Sequence, residues 1–371
     1  MNSMRMKTNS QSHDEIIYWL ILHLSSGFGA KNWRQLFKLN LSPQDICQNP
    51  TRLELNAETI NSIQYPNWKL IDAIRTWAAK PKRYLVTVQS THYPPLLKEI
   101  HTPPPLLYID GDLDALRKPQ LAIVGARKPT HNAYELAYRF SQQLSEAGLI
   151  ITSGLAYGID TASHLGALVN GQTIAVLGHG IDQIYPRQNR NLADKVRENG
   201  AIVSEFPLSI PPLAAHFPQR NRIISGLSLG TWVVEAALKS GSLITAKFAL
   251  NQGREVFAMP SSILNPMASG CHHLIQQGAK LVTSIQDILE ELPNYHLLNL
   301  QSTRPNLSLS LEGLDINHQK LVQCIGFERA SFEQLVCRSG FPVQNVLAML
   351  CNLKLNGYIK EELGGFIRVT K

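Results

Sequence analysis

Several apolar runs in this chain stop at glycine and small hydroxyl residues, with basic side chains close behind. They include Val124-Gly125-Ala126-Arg127, the stretch Ser153-Gly154-Leu155-Ala156-Tyr157-Gly158-Ile159-Asp160, and Gly178-His179-Gly180. Ser204-Glu205 is another, and Glu235 is followed by Ser240-Gly241-Ser242-Leu243-Ile244-Thr245-Ala246-Lys247. Glycine lets a backbone approach a phosphate closely, and a helix that starts there presents free N–H groups carrying a partial positive charge. Ser and Thr add side-chain donors. Tight turns with helix caps select the same residue types. The turns at 153–160 and 240–245 are therefore anion cradles or ordinary caps when taken singly. Their convergence with Arg127 favours the cradle.

The candidate contacts are Gly125, Ala126, Arg127, Ser153, Gly154, Asn221, Arg222, Ser240, Gly241, Ser242, Thr245 and Lys247. Arg suits two-pronged phosphate contact and Lys a point charge. Arg127 and Lys247 carry the expectation of ligand contact. Arg220 and Arg222 flank Asn221 and serve equally well in an internal ion pair with Glu205 or Glu235. Tyr157, Tyr185, Phe217 and Phe248 are able to stack on bases, although aromatic residues at such positions more often fill a core. Asp160, Glu205 and Glu235 sit where an acid–base pair could, yet capping is the commoner role there. His164, four residues after Asp160 on the same helix face, reads as a packed or hydrogen-bonded side chain. No Gly-x-x-x-x-Gly-Lys-[Ser/Thr], Gly-x-Gly-x-x-Gly or Gly-x-Ser-x-Gly pattern occurs. ATP hydrolysis on a phosphate loop, dinucleotide binding and a serine-hydrolase elbow are unsupported. No catalytic residue, metal or cofactor is expected.

These turns need elements to hold them. Strand-like runs fall at 121–124, 149–152, 173–177, 201–204, 231–234, 255–259 and 280–282. Helical stretches intervene at about 131–147, 158–169, 188–199, 219–228, 242–252, 268–277 and 285–291. Regular alternation with continuously apolar strands predicts a doubly wound, mostly parallel α/β sheet, Rossmann-like, with ligands at the carboxyl ends of its strands. Short edge strands are expected at 84–88 and 106–109, within a Pro-rich approach.

Residues 1–80 read as a small helical domain. Helices at 14–24 and 33–39 surround Ser25-Ser26-Gly27-Phe28-Gly29, as in a helix-hairpin-helix or in an ordinary helical corner, and 57–79 continues helically. The extended α/β domain covers 81–290, and 291–314 has linker composition. At 315–371, three helices (316–325, 331–338, 342–356) and a hairpin around Gly364-Gly365 give a winged-helix pattern. The third helix opens with Pro342, Val343, Gln344, Asn345 and Val346 and no basic residue. That weakens a duplex-reading role and favours protein interaction.

The 371 residues carry 35 basic and 28 acidic side chains, a formal charge of +7. The excess is spread along the chain with no basic tail, which permits a nucleic-acid partner without requiring one. Five cysteines without a Cys-x-x-Cys pair point away from a disulfide framework and toward a reducing cytoplasm. Cys271-His272-His273 are too close in sequence to share one tetrahedral ion. The apolar run 16–24 is too short for a membrane span and is interrupted by His23. The first ten residues lack a cleavable signal pattern, so a cytoplasmic location is expected.

The strand-end motifs carry a family resemblance. Ala122-Ile123-Val124-Gly125-Ala126-Arg127, Ser153–Asp160, Phe217-Pro218-Gln219-Arg220-Asn221-Arg222-Ile223-Ile224, Glu235-Ala236, Ser240–Ala246, Gly253–Pro260, Gly270–Ile275 and Gly278-Ala279 together resemble the DNA-processing (DprA/Smf) family of bacteria. The likeness is dense over 81–290 and loose over the flanking helical and winged-helix segments. It implies a protein that is not an enzyme and that binds single-stranded DNA with little sequence preference. It further implies homodimerisation through the Rossmann-like domain and loading of RecA in natural transformation. Arg127 and Lys247 would serve the basic pocket. Ser261 departs from the family's glycine after Pro260.

Two competing roles remain. Gly226-Leu227-Ser228-Leu229-Gly230-Thr231 with Glu235 resembles, one residue out of step, a motif of nucleotide phosphoribohydrolases on a related fold. There Arg127 and Glu235 would serve a nucleoside monophosphate. The other is a scaffold that binds proteins and no nucleic acid.

Overall fold

A computed structural model describes residues 15–293, 314–325, 329–362 and 364–369. Most of the segment read as a linker lies outside the described residues. The chain divides into two compact units, residues 1–300 and 301–371.

In the first unit, five helices lead: α1 (Glu15–Leu24), α2 (Ala30–Lys38), α3 (Pro43–Gln48), α4 (Ala57–Gln64) and α5 (Trp68–Ala78). The stretch expected to run helically over 57–79 breaks at Tyr65-Pro66-Asn67. Proline disfavours helical backbone in the residue before it, and the Asn67 side chain restarts the helix by accepting from the Leu70 N–H at 3.1 Å. The turn between α1 and α2 is a corner packed on α4: Ser26 donates from its backbone N–H to Ser62 Oγ and from its hydroxyl to Glu58. A carboxylate already occupies that turn, which disfavours a phosphate there.

Then come β1 (Arg83–Thr87), α6 (Pro95–Lys98), β2 (Leu106–Gly111), β3 (Gln120–Val124), α7 (His131–Glu146), β4 (Ile150–Ser153), α8 (Ile159–Ala167), β5 (Thr173–Leu177), α9 (Arg190–Glu198), β6 (Gly200–Ser204), α10 (His216–Leu227), β7 (Gly230–Val233), α11 (Ser242–Asn251), β8 (Glu255–Ala258), α12 (Ser269–Gln276), β9 (Lys280–Leu281) and α13 (Ile285–Leu289). Among the described residues the strands form one sheet in the order β1-β2-β6-β5-β4-β3-β7-β8-β9. From β6 to β9 the pairing is parallel, and β2 joins β6 and β1 antiparallel. The fold class read from the sequence is the one observed.

Strands β3 to β6 are buried along their whole length, because helices cover both faces and leave no polar side. One apolar core runs from Trp19, Leu36 and Ile74 of the leading helices through Tyr108 to Val176 and Val203, so the helical segment and the sheet share a core. Trp232, stacked on Phe140 at 5.2 Å, anchors the other face. The chain passes from β3 through β4, β5 and β6 on one side, then returns to β7 on the other side of β3. The crevice between the ends of β3 and β7 is therefore the switch point where open α/β sheets hold ligands.

The second unit comprises α14 (Ile316–Ile325), α15 (Phe332–Ser339), α16 (Val343–Leu355) and the hairpin β10 (Ile359–Glu362) with β11 (Gly365–Arg368). Leu321, Leu335, Leu350 and Leu353 close its core. This is a winged-helix arrangement. On α16 the basic residue is Lys354, which is paired with Glu361 at 2.5 Å. No helix among the described residues is long and apolar enough to cross a membrane.

Candidate nucleic-acid interface

The loop after β3 is pinned on three sides. The Ala126 N–H donates to the Glu235 carbonyl at 2.7 Å, and the Ile159 N–H donates to the Ala126 carbonyl at 3.2 Å. The Ser242 hydroxyl donates to the Gly125 carbonyl at 2.9 Å. Gly158, with φ +74°, comes so close that a Cβ there would stand 2.3 Å from the Ala126 oxygen. Glu235 completes the frame. Its carboxylate accepts from the Thr130 N–H at 2.8 Å, the Thr130 hydroxyl at 2.9 Å and the Asn265 amide at 3.2 Å. What this rigid loop offers to solvent is Arg127 and Lys128, both exposed.

The turn at 153–160 differs from the expectation. The Ser153 hydroxyl donates inward to the Ile123 carbonyl at 2.6 Å. The N–H groups of Gly154 and Ala156 donate to Asp160 Oδ2 at 3.1 and 3.2 Å. The protein's own carboxylate stands where a phosphate was expected, so Ser153 and Gly154 are interior supports and not contacts. Arg220 closes this network: it is buried, donates to the Gly154 carbonyl at 2.8 Å and also reaches the Val176 carbonyl. Burial raises the Asp160 carboxyl above its ordinary range, against the pull of Arg220 and the loop N–H groups. Burial also lowers Arg220 to about 10, which leaves it charged at neutral pH. His164 is fully buried, meets the Thr173 hydroxyl at 2.7 Å and is lowered to about 3 by desolvation.

Arg222 is a second correction. It forms an ion pair with Glu205 at 2.5 Å, with both side chains largely buried. Of the two roles left open, the internal pair is the one realised. Asn221 ties α10 to the Ser240 turn, accepting from Arg220 Nε at 3.2 Å and donating to the Gly241 carbonyl at 3.4 Å. Thr245 is buried, so it packs α11 and makes no rim contact.

The Ser240–Ser242 turn is only partly open: the Ser240 N–H donates to the Ala237 carbonyl at 2.9 Å, the Ser242 N–H donates to Ser240 Oγ at 3.3 Å, and Ser242 is buried. Gly241 is exposed, and nothing lies within 4 Å of the position its Cβ would take. The Ser240 and Ser242 hydroxyls meet at 2.9 Å. Lys247 is exposed on α11, five residues beyond Ser242, hence about 7.5 Å further along the helix axis.

Aromatic side chains continue the rim. Arg127 lies over the Phe217 ring at 5.7 Å, and Tyr185 lies 5.9 Å from Phe217. Tyr185 and Tyr157 are exposed, and Phe217 and Phe248 are half-buried. The loop 185–190 is docked on the loop 154–161 by Tyr157 with Gln188 and by Asn189, which donates to the Leu155 carbonyl at 2.9 Å. Arg187 in that loop, Lys128 and Lys239 are also exposed and were not among the candidates read from the sequence. Arg187 belongs to no strand-end motif, and its proximity to Tyr185 is its only signal. Among the described residues, Arg127, Lys128, Arg187, Lys239 and Lys247 are in no ion pair. Arg127, exposed and in no ion pair, lies beside the Phe217 and Tyr185 rings, which pairs a free cation with an aromatic surface as single-strand tracks do.

Comparison with known proteins shows the family. The family described as DNA recombination-mediator protein A matches residues 84–293, and the DprA winged helix domain matches 305–365. The chain is 44% identical over 306 residues to Protein Smf of Escherichia coli, covering 82% of each. It is 46% identical over 288 residues to DNA processing protein DprA of Bacillus subtilis, covering 76% of this chain and 94% of that one. The X-ray structure of DprA from Streptococcus pneumoniae superposes with a TM-score of 0.67 at 38% identity, over 74% of this chain and 98% of that one. The Helicobacter pylori protein, whose structure is described as revealing its single-stranded DNA binding mode, matches with a TM-score of 0.51 at 30% identity, over 55% and 93%. The chain belongs to the DNA recombination-mediator protein A (DprA/Smf) family.

Proposed function

We propose that this protein binds single-stranded DNA along the switch-point rim, protects it, and passes it to RecA in natural transformation and recombination. The observation that carries this is the juxtaposition of unpaired Arg127 with the Phe217 and Tyr185 rings, on a loop that Glu235 and Ser242 hold rigid. A cation on a backbone already held in place meets a phosphate with less conformational freedom to lose, and an exposed ring such as Tyr185 stacks on bases of any sequence. Homodimerisation through the Rossmann-like unit and a cytoplasmic site of action complete the proposal.

The protein acts as a binder and not as an enzyme. In a phosphoribohydrolase, Glu235 would serve the substrate, yet here its two oxygens accept three hydrogen bonds from Thr130 and Asn265. Incubation with nucleoside monophosphates is expected to release no free base. Filter binding to oligothymidylate tests the main proposal. Affinity should fall with salt, with log K against log salt having a slope of about −0.7 for each phosphate contacted. Salt-insensitive binding, or none, refutes it.

A further inference from the structure

A second cationic cleft lies away from the switch point. It measures about 600 Å³, and Trp77, Lys80, Arg83, Asp110, Asp182 and Arg197 are among its lining residues. It brings together the end of α5, the antiparallel strands β1 and β2, and α9.

The charges in it are clustered and under-bonded. Arg83 Nε and Arg197 Nε lie 3.7 and 3.2 Å from the same Asp110 oxygen. One carboxylate therefore draws two guanidinium groups together, and Lys80 adds a third positive charge. Among the described residues the Arg83 and Lys80 side chains make no hydrogen bond, and Arg197 makes one, to Asp194 at 2.5 Å. Arg197 Nε is buried without a hydrogen-bond partner. Asp110 and Asp194 offset two of these three positive charges, so one net positive charge remains at this end, and guanidinium N–H groups that make no hydrogen bond match phosphate oxygens. The Trp77 ring is already covered by Arg83 at 5.4 Å, so a phosphate and not a base is the group that fits. Asp182, bonded to the Ser209 N–H at 2.9 Å, would repel an anion at its own end. That confines the phosphate to the end formed by Lys80, Arg83 and Arg197.

We infer that this cleft takes a backbone phosphate of the same single strand that the rim binds, lengthening the track onto the leading helical segment. The link is the loop after β5: Asp182 lines the cleft, and Tyr185 and Arg187 of the same loop stand on the rim. The inference rests on the single-strand proposal above.

The test compares full-length wild type, Lys80→Gln and Arg83→Gln by fluorescence anisotropy over a salt series. An oligothymidylate of about six nucleotides falls within the usual range of single-module site sizes, of about 4–16, and one of about thirty exceeds it. The expected result is a roughly three- to tenfold weaker affinity of each variant for the long strand, a salt slope shallower by about 0.7, and no change on the short strand. Lys80 has no bonded partner, so Lys80→Gln keeps the test valid if Arg83→Gln folds poorly. Unchanged long-strand binding, or equal loss on both lengths, overturns the inference. So does tighter binding of free thymidine monophosphate to wild type than to Lys80→Gln with no competition from the long strand. If wild type binds neither strand, the single-strand proposal itself has failed, and that outcome differs from all the others.

Discussion

Arg127 and Arg220 share one aromatic ring: their guanidinium carbons stand 5.7 and 5.9 Å from the Phe217 centroid, yet Arg127 is exposed and Arg220 is buried. The two charges are coupled, and Arg127 contributes to lowering Arg220 below its ordinary range. Their roles divide by solvent access. Arg220 holds the Gly154 carbonyl and thereby the loop, whereas Arg127 is free to meet a phosphate. Replacing both Arg127 and Lys247 by Ala should abolish single-strand binding. Both are surface residues without ion-pair partners, so stability should move by no more than about 0.5 kcal/mol. Gel shift and thermal melting on the same preparation check this. Normal binding by the double variant would place the track elsewhere.

Arg222 should behave in the opposite way. Removing its side chain leaves Glu205 buried and uncompensated, and breaking such a pair costs about 3–5 kcal/mol. Arg222→Met is expected to lower the urea midpoint strongly, while the molecules that remain folded keep near-normal affinity for single strands. A variant of wild-type stability with lost binding would return Arg222 to the rim.

The sheet was legible in the sequence because its strands are buried on both faces. Leu121-Ala122-Ile123-Val124 and Thr173-Ile174-Ala175-Val176-Leu177 leave no other placement for so apolar a run. The glycine and serine turns were legible as turns, but not which of their N–H groups stay free. Asp160 bends back onto Gly154, six residues earlier, and only the folded path reveals it. Arg220 and Arg222 lie two residues apart, about 200° around a helix. One therefore points under the crevice and the other toward Glu205, and the helix phase that decides between them comes from packing on the sheet. Thr245 and Lys247 are separated by the same logic on α11.

Gly158 offers a test of how tightly the rim is built. Its φ of +74° disfavours any side chain, and a Cβ would meet the Ala126 oxygen at 2.3 Å and the Pro129 ring at 2.7 Å. Both neighbours belong to the loop that carries Arg127. Gly158→Ala should cost about 1–3 kcal/mol from backbone strain and displace that loop, so DNA affinity should drop even well below the melting temperature. Retained affinity at wild-type level would mean that the loop tolerates movement and that its rigidity is not needed.

Two desolvated histidines set the acid behaviour, His164 fully buried and His23 half-buried. His23, desolvated at the end of α1 with its ring 5.9 Å from Tyr108, is lowered from 6.5 to about 4, and His164 to about 3. In the unfolded chain both take up protons near pH 6.5, whereas in the folded chain they do so only well below it. Between those values the unfolded state binds more protons, so stability rises with pH, is complete above about pH 7, and falls as the pH drops through 6 and 5. From pH 6.5 to pH 5 each histidine contributes a loss of about 2 kcal/mol. Asp160 and Glu205, raised by burial, bind protons more readily when folded and oppose this trend at the acid end of the range. Comparing each protein's urea midpoint at about pH 7 and about pH 5 isolates the histidine contribution. His23→Phe keeps a ring against Tyr108 but cannot be protonated, so it should lose clearly less stability over this interval than wild type. An equal loss in the two proteins would show that His23 is not held neutral in the folded chain.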